Sequence, residues 1–301
     1  MVTEMPSNVR EQYPFKAHYT KVNGRIMHYL DEGAGEPILL LHGNPTWTFL
    51  YRKFIPVLVD AGYRVVSPDL IGLGMSEKPC NDYFNSLLHH TSNLDQLIKQ
   101  LDLKGVTLVM QDWAGPIGLG YAIRRRENVK AQLIMSTWAW TEVSPFHSSI
   151  FPWRMMHAPV VGPFLLQRRN ALTERGLWLS VVNRDRMTED VIDGYRFHMQ
   201  SYDERGSFLR FPRMIPLGEK NKENTGYHII KQIEEKLPEL DIPTLLIWGE
   251  PDDVFPKEWA ERFYEILPRA EKPIYVQAKH FIQEDEPEFI SRELIRFLKG
   301  L

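Results

Sequence analysis

The sequence predicts an α/β protein: a doubly wound, mostly parallel sheet of eight strands flanked by helices, interrupted by an inserted helical cap. Three observations lead there. Short apolar runs alternate with helical patterns at both ends of the chain, as stacked β-α units require. The alternation lapses between about Thr141 and Pro216. And the apolar run 106–110 leads through Gln111-Asp112-Trp113 into the small-residue stretch Ala114-Gly115-Pro116-Ile117-Gly118, the strand–turn–helix shape of a nucleophile elbow.

The elements follow in order. Residues 15–22 and 25–31 alternate in polarity and flank Asn23-Gly24, a pair that tolerates the positive φ of a tight hairpin. Six further strand-like runs lie at 37–41, 64–67, 106–110, 132–136, 244–248 and 273–276. Several are continuously apolar, as strands buried on both faces should be. Between them, residues 93–101 set Leu94, Leu97, Ile98 and Leu101 on one helical face. After Ser136 no buried strand is evident until Thr244. Phe146, Phe151, Trp153, Phe164, Trp178, Tyr195, Phe197, Tyr202, Phe208 and Phe211 fall in this interval, within proline-bounded helical stretches. The chain therefore divides into a core, 1–140 and 217–301, and a cap, 141–216. Most of these aromatics are expected to pack cap on core, and a subset to line a pocket at the junction.

Composition removes several functional classes. At 301 residues, 43% hydrophobic and 25% charged, this is an ordinary globular chain, long enough for one large domain with an insertion. A net charge of −3 argues against a nucleic-acid partner. The single cysteine, Cys80, permits no internal disulfide. No signal-peptide core precedes Pro14 and no window reads as a membrane span, so a cytoplasmic enzyme is expected. Gly72-Leu73-Gly74 and Gly118-Leu119-Gly120 do not extend to a dinucleotide fingerprint, and the ten histidines show no zinc spacing. Neither cofactor nor metal is expected. Arg124-Arg125-Arg126 reads as a solvated helix end favoured by the helix dipole.

The chemistry is concentrated at three strand ends. Asp112, at the elbow tip, is suited to displacing a leaving group from saturated carbon and forming an alkyl ester. Hydrolysis of that ester needs a base, and Lys279-His280-Phe281 follows the eighth run on the expected side of the sheet. The acid that orients His280 should follow the seventh run, where Gly249-Glu250-Pro251-Asp252-Asp253 offers Asp252 first and Asp253 as its rival. Leu41-His42-Gly43-Asn44 follows the third run. Backbone N–H groups of Asn44 and Trp113 would form an oxyanion hole. The Asn44 carboxamide and the Trp113 indole are neutral donors, a pair suited to a departing halide. The plainer alternatives are a turn-capping Asp112, a local turn bond for Asn44 and simple packing for Trp113.

His-Gly-Asn-Pro-Thr-Trp (42–47), Asp69-Leu70-Ile71-Gly72-Leu73-Gly74-Met75-Ser76-Glu77-Lys78-Pro79, Gln111-Asp112-Trp113-Ala114-Gly115-Pro116 and Phe211-Pro212-Arg213-Met214-Ile215-Pro216 together resemble the haloalkane dehalogenases. The resemblance runs through His280 and covers nearly the whole chain. It implies the α/β-hydrolase fold, a halide site on Asn44 and Trp113, a halogenated organic substrate, and water as the only co-reactant. One branch of the family carries a glutamate after the sixth strand. Here Ser136-Thr137-Trp138-Ala139-Trp140 has none, so the acid maps onto Asp252, as in the branch sometimes called the third, which also hints at a homo-oligomer. Ala114 departs from the family's usual Gly and fits only if its backbone avoids positive φ. The rival readings are an epoxide hydrolase using cap tyrosines such as Tyr195 and Tyr202, a coelenterazine-type luciferase, and a catalytically silent small-molecule receptor. Fluoroacetate dehalogenases typically carry Arg where this chain has Trp113.

Overall fold

The computed structural model describes residues 4–79, 86–142, 155–215 and 226–301. Cys80, Phe146, Phe151, Trp153 and Pro216 lie outside those residues. Eight strands form one sheet: β1 (His18–Val22), β2 (Arg25–Gly33), β3 (Pro37–Leu41), β4 (Arg64–Pro68), β5 (Val106–Gln111), β6 (Val129–Met135), β7 (Thr244–Gly249) and β8 (Ile274–Val276), in the spatial order β1-β2-β4-β3-β5-β6-β7-β8. β2 pairs antiparallel with β1 and β4; the pairings from β4 to β8 are parallel. The Asn23-Gly24 hairpin is present, with φ of 45° and 81° at its two residues.

Burial accounts for the continuous apolar runs. Along β3, Leu39 and Leu41 enter one core cluster while Ile38 and Leu40 enter the other; along β5, Leu108 and Met110 oppose Val109 in the same way. Successive side chains point to opposite faces and both faces are covered, so no position accepts a polar residue freely. Several boundaries differ from the sequence reading, β1 starting at His18 rather than at residue 15, and two of the differences have a local cause. β6 starts earlier, at Val129, and ends at Met135, because Ser136 adopts a φ of 37° that no strand continues. The helix expected over 93–101 begins at Leu87, where the Ser86 side chain caps the His89 N–H.

Strand order fixes where a site can form. The chain goes from β3 out to β4 on one side and returns to β5 on the other, so β3 and β5 are neighbours that diverge at their carboxyl ends. Such a switch point is where ligands bind in open α/β sheets. The last register pair, Leu41 with Met110, brings the loops beginning at His42 and Asp112 side by side.

Between β6 and β7 the described residues carry helices and no strand, including Glu189–Arg196 and Gly206–Arg213. These pack on the core through Tyr195, Phe197, Phe208 and Phe211, all buried; Phe164, Trp178 and Tyr202 are exposed. The Trp47 indole donates to the Gly194 carbonyl at 3.0 Å, and a Cβ on Gly194 would lie 2.2 Å from the Phe49 ring. Glu284 joins three segments: it accepts from Arg52 (2.5 and 3.0 Å), Lys53 (3.0 Å) and the Tyr195 hydroxyl (2.6 Å). Among the described residues no helix is long and apolar enough to cross a membrane, and no group of three His, Cys, Asp or Glu is placed to hold a metal.

Burial alone raises the Glu284 carboxyl, but the Arg52 guanidinium, with Lys53 and Tyr195, outweighs it and holds the pKa at about 2. A depressed carboxyl contributes stability that is full above its unfolded value, about 4.3, and lost as pH falls toward the folded one. Glu284→Gln should therefore cost about 3 kcal/mol at neutral pH, because Arg52 remains buried without its counter-charge. Thermal melts from pH 6 to pH 2 should show the parent and variant converging as the acid range is entered. Parallel curves would rule out this carboxylate as the source.

Candidate active site

Asp112 sits at φ 54°, a left-handed conformation that costs a non-glycine residue energy and must be held by its surroundings. Its N–H donates to Ser136 O at 3.0 Å; its carbonyl accepts from Gly115 N at 3.0 Å and Thr137 Oγ1 at 2.5 Å. Two glycines leave the necessary room. A Cβ on Gly115 would lie 1.9 Å from Thr137 Oγ1, and one on Gly43 would lie 2.1 Å from Asp112 Oδ1. Ala114 starts the helix Ala114–Arg124 and is not among the positive-φ residues, so its side chain is tolerated. Of the arginine triplet, Arg125 pairs with Asp95 and Arg126 with Asp241, as expected for an exposed helix end.

The Asn44 N–H donates to Asp112 Oδ1 at 2.7 Å, and its direction has a cause. The Gly43 carbonyl accepts from His42 Nδ1 (2.8 Å), Thr46 N (3.1 Å) and Thr46 Oγ1 (3.1 Å). Because the Gly43–Asn44 peptide is planar and trans, pinning its carbonyl on one side aims its N–H to the other, at the nucleophile. His42 itself is neutral: burial lowers its pKa, and its Nε2 accepts the Leu70 N–H at 3.0 Å. Behind it lies buried Asp69, which accepts from His28 Nδ1 (2.8 Å), Thr48 N (2.8 Å) and Met75 N (2.7 Å). Burial pushes the Asp69 carboxyl up, yet His28 and these partners outweigh it and hold it far below the usual range.

His280 Nε2 lies 3.7 Å from Asp112 Oδ2, and its Nδ1 lies 3.8 Å from Asp252 Oδ2, within ion-pair reach but beyond hydrogen-bond length. Asp252 is buried; its Oδ1 accepts the Val254 and Phe255 N–H groups, leaving Oδ2 without a partner. Asp253 points away and pairs with Lys279 at the surface at 3.0 Å. Burial works to lower the His280 pKa, but the Asp252 and Asp112 carboxylates outweigh it and the net shift is upward. Burial raises Asp112, opposed by His280 and by the backbone N–H groups of Trp113 and Asn44.

The structure thus brings together Asp112, Trp113, Asn44, Asp252 and His280, drawn from four loops. The Asn44 carboxamide oxygen is buried with no hydrogen-bond partner among the described residues, and the Trp113 side chain is buried beside it. Aromatic rings wall the site: Trp113 meets Trp138 (4.7 Å) and Phe211 (5.3 Å), Trp138 stacks on Phe255 (5.2 Å), and Phe255 reaches His280 (5.5 Å). Sequence reasoning gave no role to Trp138, Phe255, His42, Thr137 or Gln111, whose amide lies against the His280 ring. Only adjacency to the strand ends signalled them.

The α/β hydrolase fold family matches residues 36–287. A cis-3-alkyl-4-alkyloxetan-2-one decarboxylase of Shewanella oneidensis is 33% identical over 95% of this chain and 89% of its own length. A haloalkane dehalogenase of Mycobacterium tuberculosis is 32% identical over 94% of this chain and 95% of its own. Among solved structures, haloalkane dehalogenase DbeA from Bradyrhizobium elkani superposes with a TM-score of 0.86 at 28% identity, covering 95% of this chain and 98% of that one. Haloalkane dehalogenase DatA from Agrobacterium tumefaciens gives 0.85 at 27%, covering 95% and 96%.

The clearance at the elbow is testable by stability alone. Gly115→Ala should cost about 1–3 kcal/mol through overpacking against Thr137. Adding Thr137→Ala should recover part of that loss despite removing the bond to the Asp112 carbonyl. Strictly additive melting shifts in the double variant would show that the two residues do not compete for the same space.

Proposed function

Because the chain belongs to the α/β hydrolase fold family, with haloalkane dehalogenases related to it over nearly its full length, we propose that it is a hydrolytic haloalkane dehalogenase in which Asp112 is the nucleophile. The observation that carries this reading is the division of labour between the two Asp112 oxygens. Oδ1 is held by the Asn44 amide, while Oδ2 faces His280. Oδ2 attacks the carbon bearing halogen from behind; the carbon–oxygen bond forms as the carbon–halogen bond breaks, and halide departs with the bonding pair. Trp113 and Asn44 supply N–H donors to a charge that is absent from the bound haloalkane and nearly complete at the end of displacement. In the second step His280 takes a proton from water as that water attacks the ester carbon. Negative charge builds on Oδ1, which already accepts the Asn44 backbone N–H. Collapse expels the alkoxide, which takes the proton held by His280 to leave as the alcohol; the carboxylic acid left behind gives up its own proton through His280 to solvent, restoring the carboxylate.

Asp252 orients His280 and carries the imidazolium; Asp253, paired with Lys279, does not. Residues 141–216 form the cap, over a core of 1–140 and 217–301. The geometry weighs against epoxide hydrolysis, because the Tyr195 hydroxyl already donates to Glu284 and Tyr202 is exposed. A second reading has the decarboxylase relative behind it. If Asp112 attacked the ring carbon bearing oxygen, that carbon–oxygen bond would break to a carboxylate, and loss of carbon dioxide would expel Asp112 and leave the alkene, so the same nucleophile and donors would serve.

The deciding experiment follows halide release from brominated alkanes, with an epoxide and a cis-3,4-dialkyl oxetan-2-one as alternatives. Release of halide and alcohol supports the proposal; turnover of only the lactone, to alkene and carbon dioxide, transfers the site to the second reading. In His280→Ala, Asp112 still attacks but water lacks its base. Intact-protein mass spectrometry should then show one alkyl group on the protein, and a bare mass where the parent turns over would exclude the ester.

The donors and the acid are separable by kinetics. Trp113→Phe keeps a ring and removes one N–H, so displacement should slow by about 3 kcal/mol, roughly a hundredfold, by analogy with oxyanion-hole donors. Asp252→Asn should sharply slow ester hydrolysis, while Asp253→Asn should stay near the parent rate. The reverse order of the two aspartates would reassign the acid.

A further inference from the structure

We propose that the cap carries a second binding site, apart from the Asp112 cluster, for a zwitterionic amino acid with an apolar side chain. A cavity of about 420 Å³ lies where the helix Glu189–Arg196 meets residues 170–174, residues 197–205 and Pro6. That is the size of a small-molecule pocket, and none of the five residues of the candidate active site lines it. Phe197 and Met199, both buried, supply its apolar surface. Its charged lining is of two kinds, each left unmatched within the protein.

The positive side is Arg205, which is 8% exposed. Its Nε donates to the Gln167 carbonyl at 2.6 Å, and its Nη1 to the Met199 and Gln200 carbonyls at 2.6 and 2.7 Å. Carbonyls satisfy those N–H groups but not the charge, and a buried cation without a counter-charge is costly. No carboxylate among the described residues pairs with it; the adjacent acid, Glu204, accepts the Ser201 N–H at 2.7 Å instead. The third nitrogen, Nη2, carries two N–H groups and bonds no described residue. It is not sealed from solvent either, so it opens on the cavity that Arg205 lines. A carboxylate there would complete the hydrogen bonds of the guanidinium and supply its counter-charge.

The negative side is the converse. Arg196 donates to Glu174 through Nε and Nη2 (2.8 and 2.5 Å), and through Nη1 to Asp193 (3.0 Å) and Glu189. One guanidinium thus faces three carboxylates, of which Glu174 and Asp193 line the cavity. The other donors to these two acids are the neutral carboxamides of Asn170 and Asn8, each at 3.2 Å. Negative charge is left over on this side, and an ammonium would balance it. A ligand bearing only one charge gains at one side and is repelled at the other. A molecule that holds a carboxylate and an ammonium together suits both, with its apolar part against Phe197 and Met199.

Ligand-observed NMR titrations of the whole protein at low ionic strength test this with three molecules of matched shape. L-leucine carries both charges, 4-methylpentanoate only the carboxylate and 3-methylbutylamine only the ammonium. Leucine should bind, and the amine about tenfold more weakly or worse, because it leaves the buried cation unmatched. The carboxylate alone should bind about threefold more weakly, since the acids it fails to balance are part-exposed. Arg205→Gln should bring leucine down to the level of the amine. Should that variant lose its fold, Asp193→Asn decides: leucine should weaken roughly threefold, while 4-methylpentanoate, which has no ammonium, should lose nothing. Absence of leucine binding to the parent protein, either analogue binding as tightly as leucine, or leucine affinity unchanged in the folded variants overturns the proposal. None of these measurements needs turnover, so they decide the site whether or not the protein hydrolyses haloalkanes.

Discussion

The left-handed backbone of Asp112 is the constraint on which the site depends. At φ 54° the chain turns sharply enough to leave β5, present the carboxylate above the sheet and enter a helix two residues later. A strained non-glycine residue of this kind costs on the order of 1–3 kcal/mol and persists only where its surroundings over-determine it. Here they do so through hydrogen bonds from the Asp112 backbone to Ser136 O, Gly115 N and the Thr137 hydroxyl and through two absent Cβ atoms, at Gly43 and Gly115. Three strand ends, β3, β5 and β6, are thereby fixed against one another. A nucleophile on a looser turn would need its geometry supplied again in every catalytic cycle.

Two buried carboxylates that take no part in the chemistry hold the remaining loops. Asp69 supports the His42–Asn44 turn from below, by way of neutral His42 and the Thr48 amide. Glu284 ties the segment after that turn to the His280 loop and to cap residue Tyr195. Each satisfies its charge fully inside the protein, and leaving one partner behind is strongly unfavourable, so these joints are stiff. The effect is to bind the amide that steadies Asp112, the histidine and the cap into one frame. Tyr195 is consumed in that frame, which is why a residue that looked available for acid chemistry in the sequence is not.

Much of this was legible in the sequence because its signals are local. Continuous apolar runs reported strands buried on both faces; small residues after Asp112 reported the elbow; Asn23-Gly24 reported the hairpin. Asp252 could be preferred over Asp253 by its spacing from Gly249, and the structure places the former inward and the latter on Lys279. What stayed hidden was whatever depends on long-range pairing. Arg52 and Glu284 are 232 positions apart, and either read alone is an ordinary surface charge. Thr137 acts on the Asp112 carbonyl from just beyond the next strand. Gln111 is one of many glutamines until the His280 loop folds over it. Ser136 reads as strand in the sequence because its positive φ goes with the bond its carbonyl accepts from the Asp112 N–H, not with its own preference.

In the proposed mechanism, the electrostatics of the site change during the cycle in a direction that serves its second half. With Asp112 ionised, two nearby carboxylates raise the His280 pKa and favour the imidazolium. Forming the ester removes the Asp112 charge at 3.7 Å while Asp252 stays in place. The imidazolium then loses one of the two carboxylates that favoured it, and burial, which disfavours the charged ring, counts for more. His280 is thus more fully in its neutral form, with a lone pair free to take a proton, when an ester exists for activated water to attack. Once hydrolysis frees the carboxylate, the restored charge stabilises the proton that His280 has taken up. A nucleophile and a base within ion-pair reach of each other are in this way timed by the covalent state of one of them, with no movement of the chain required.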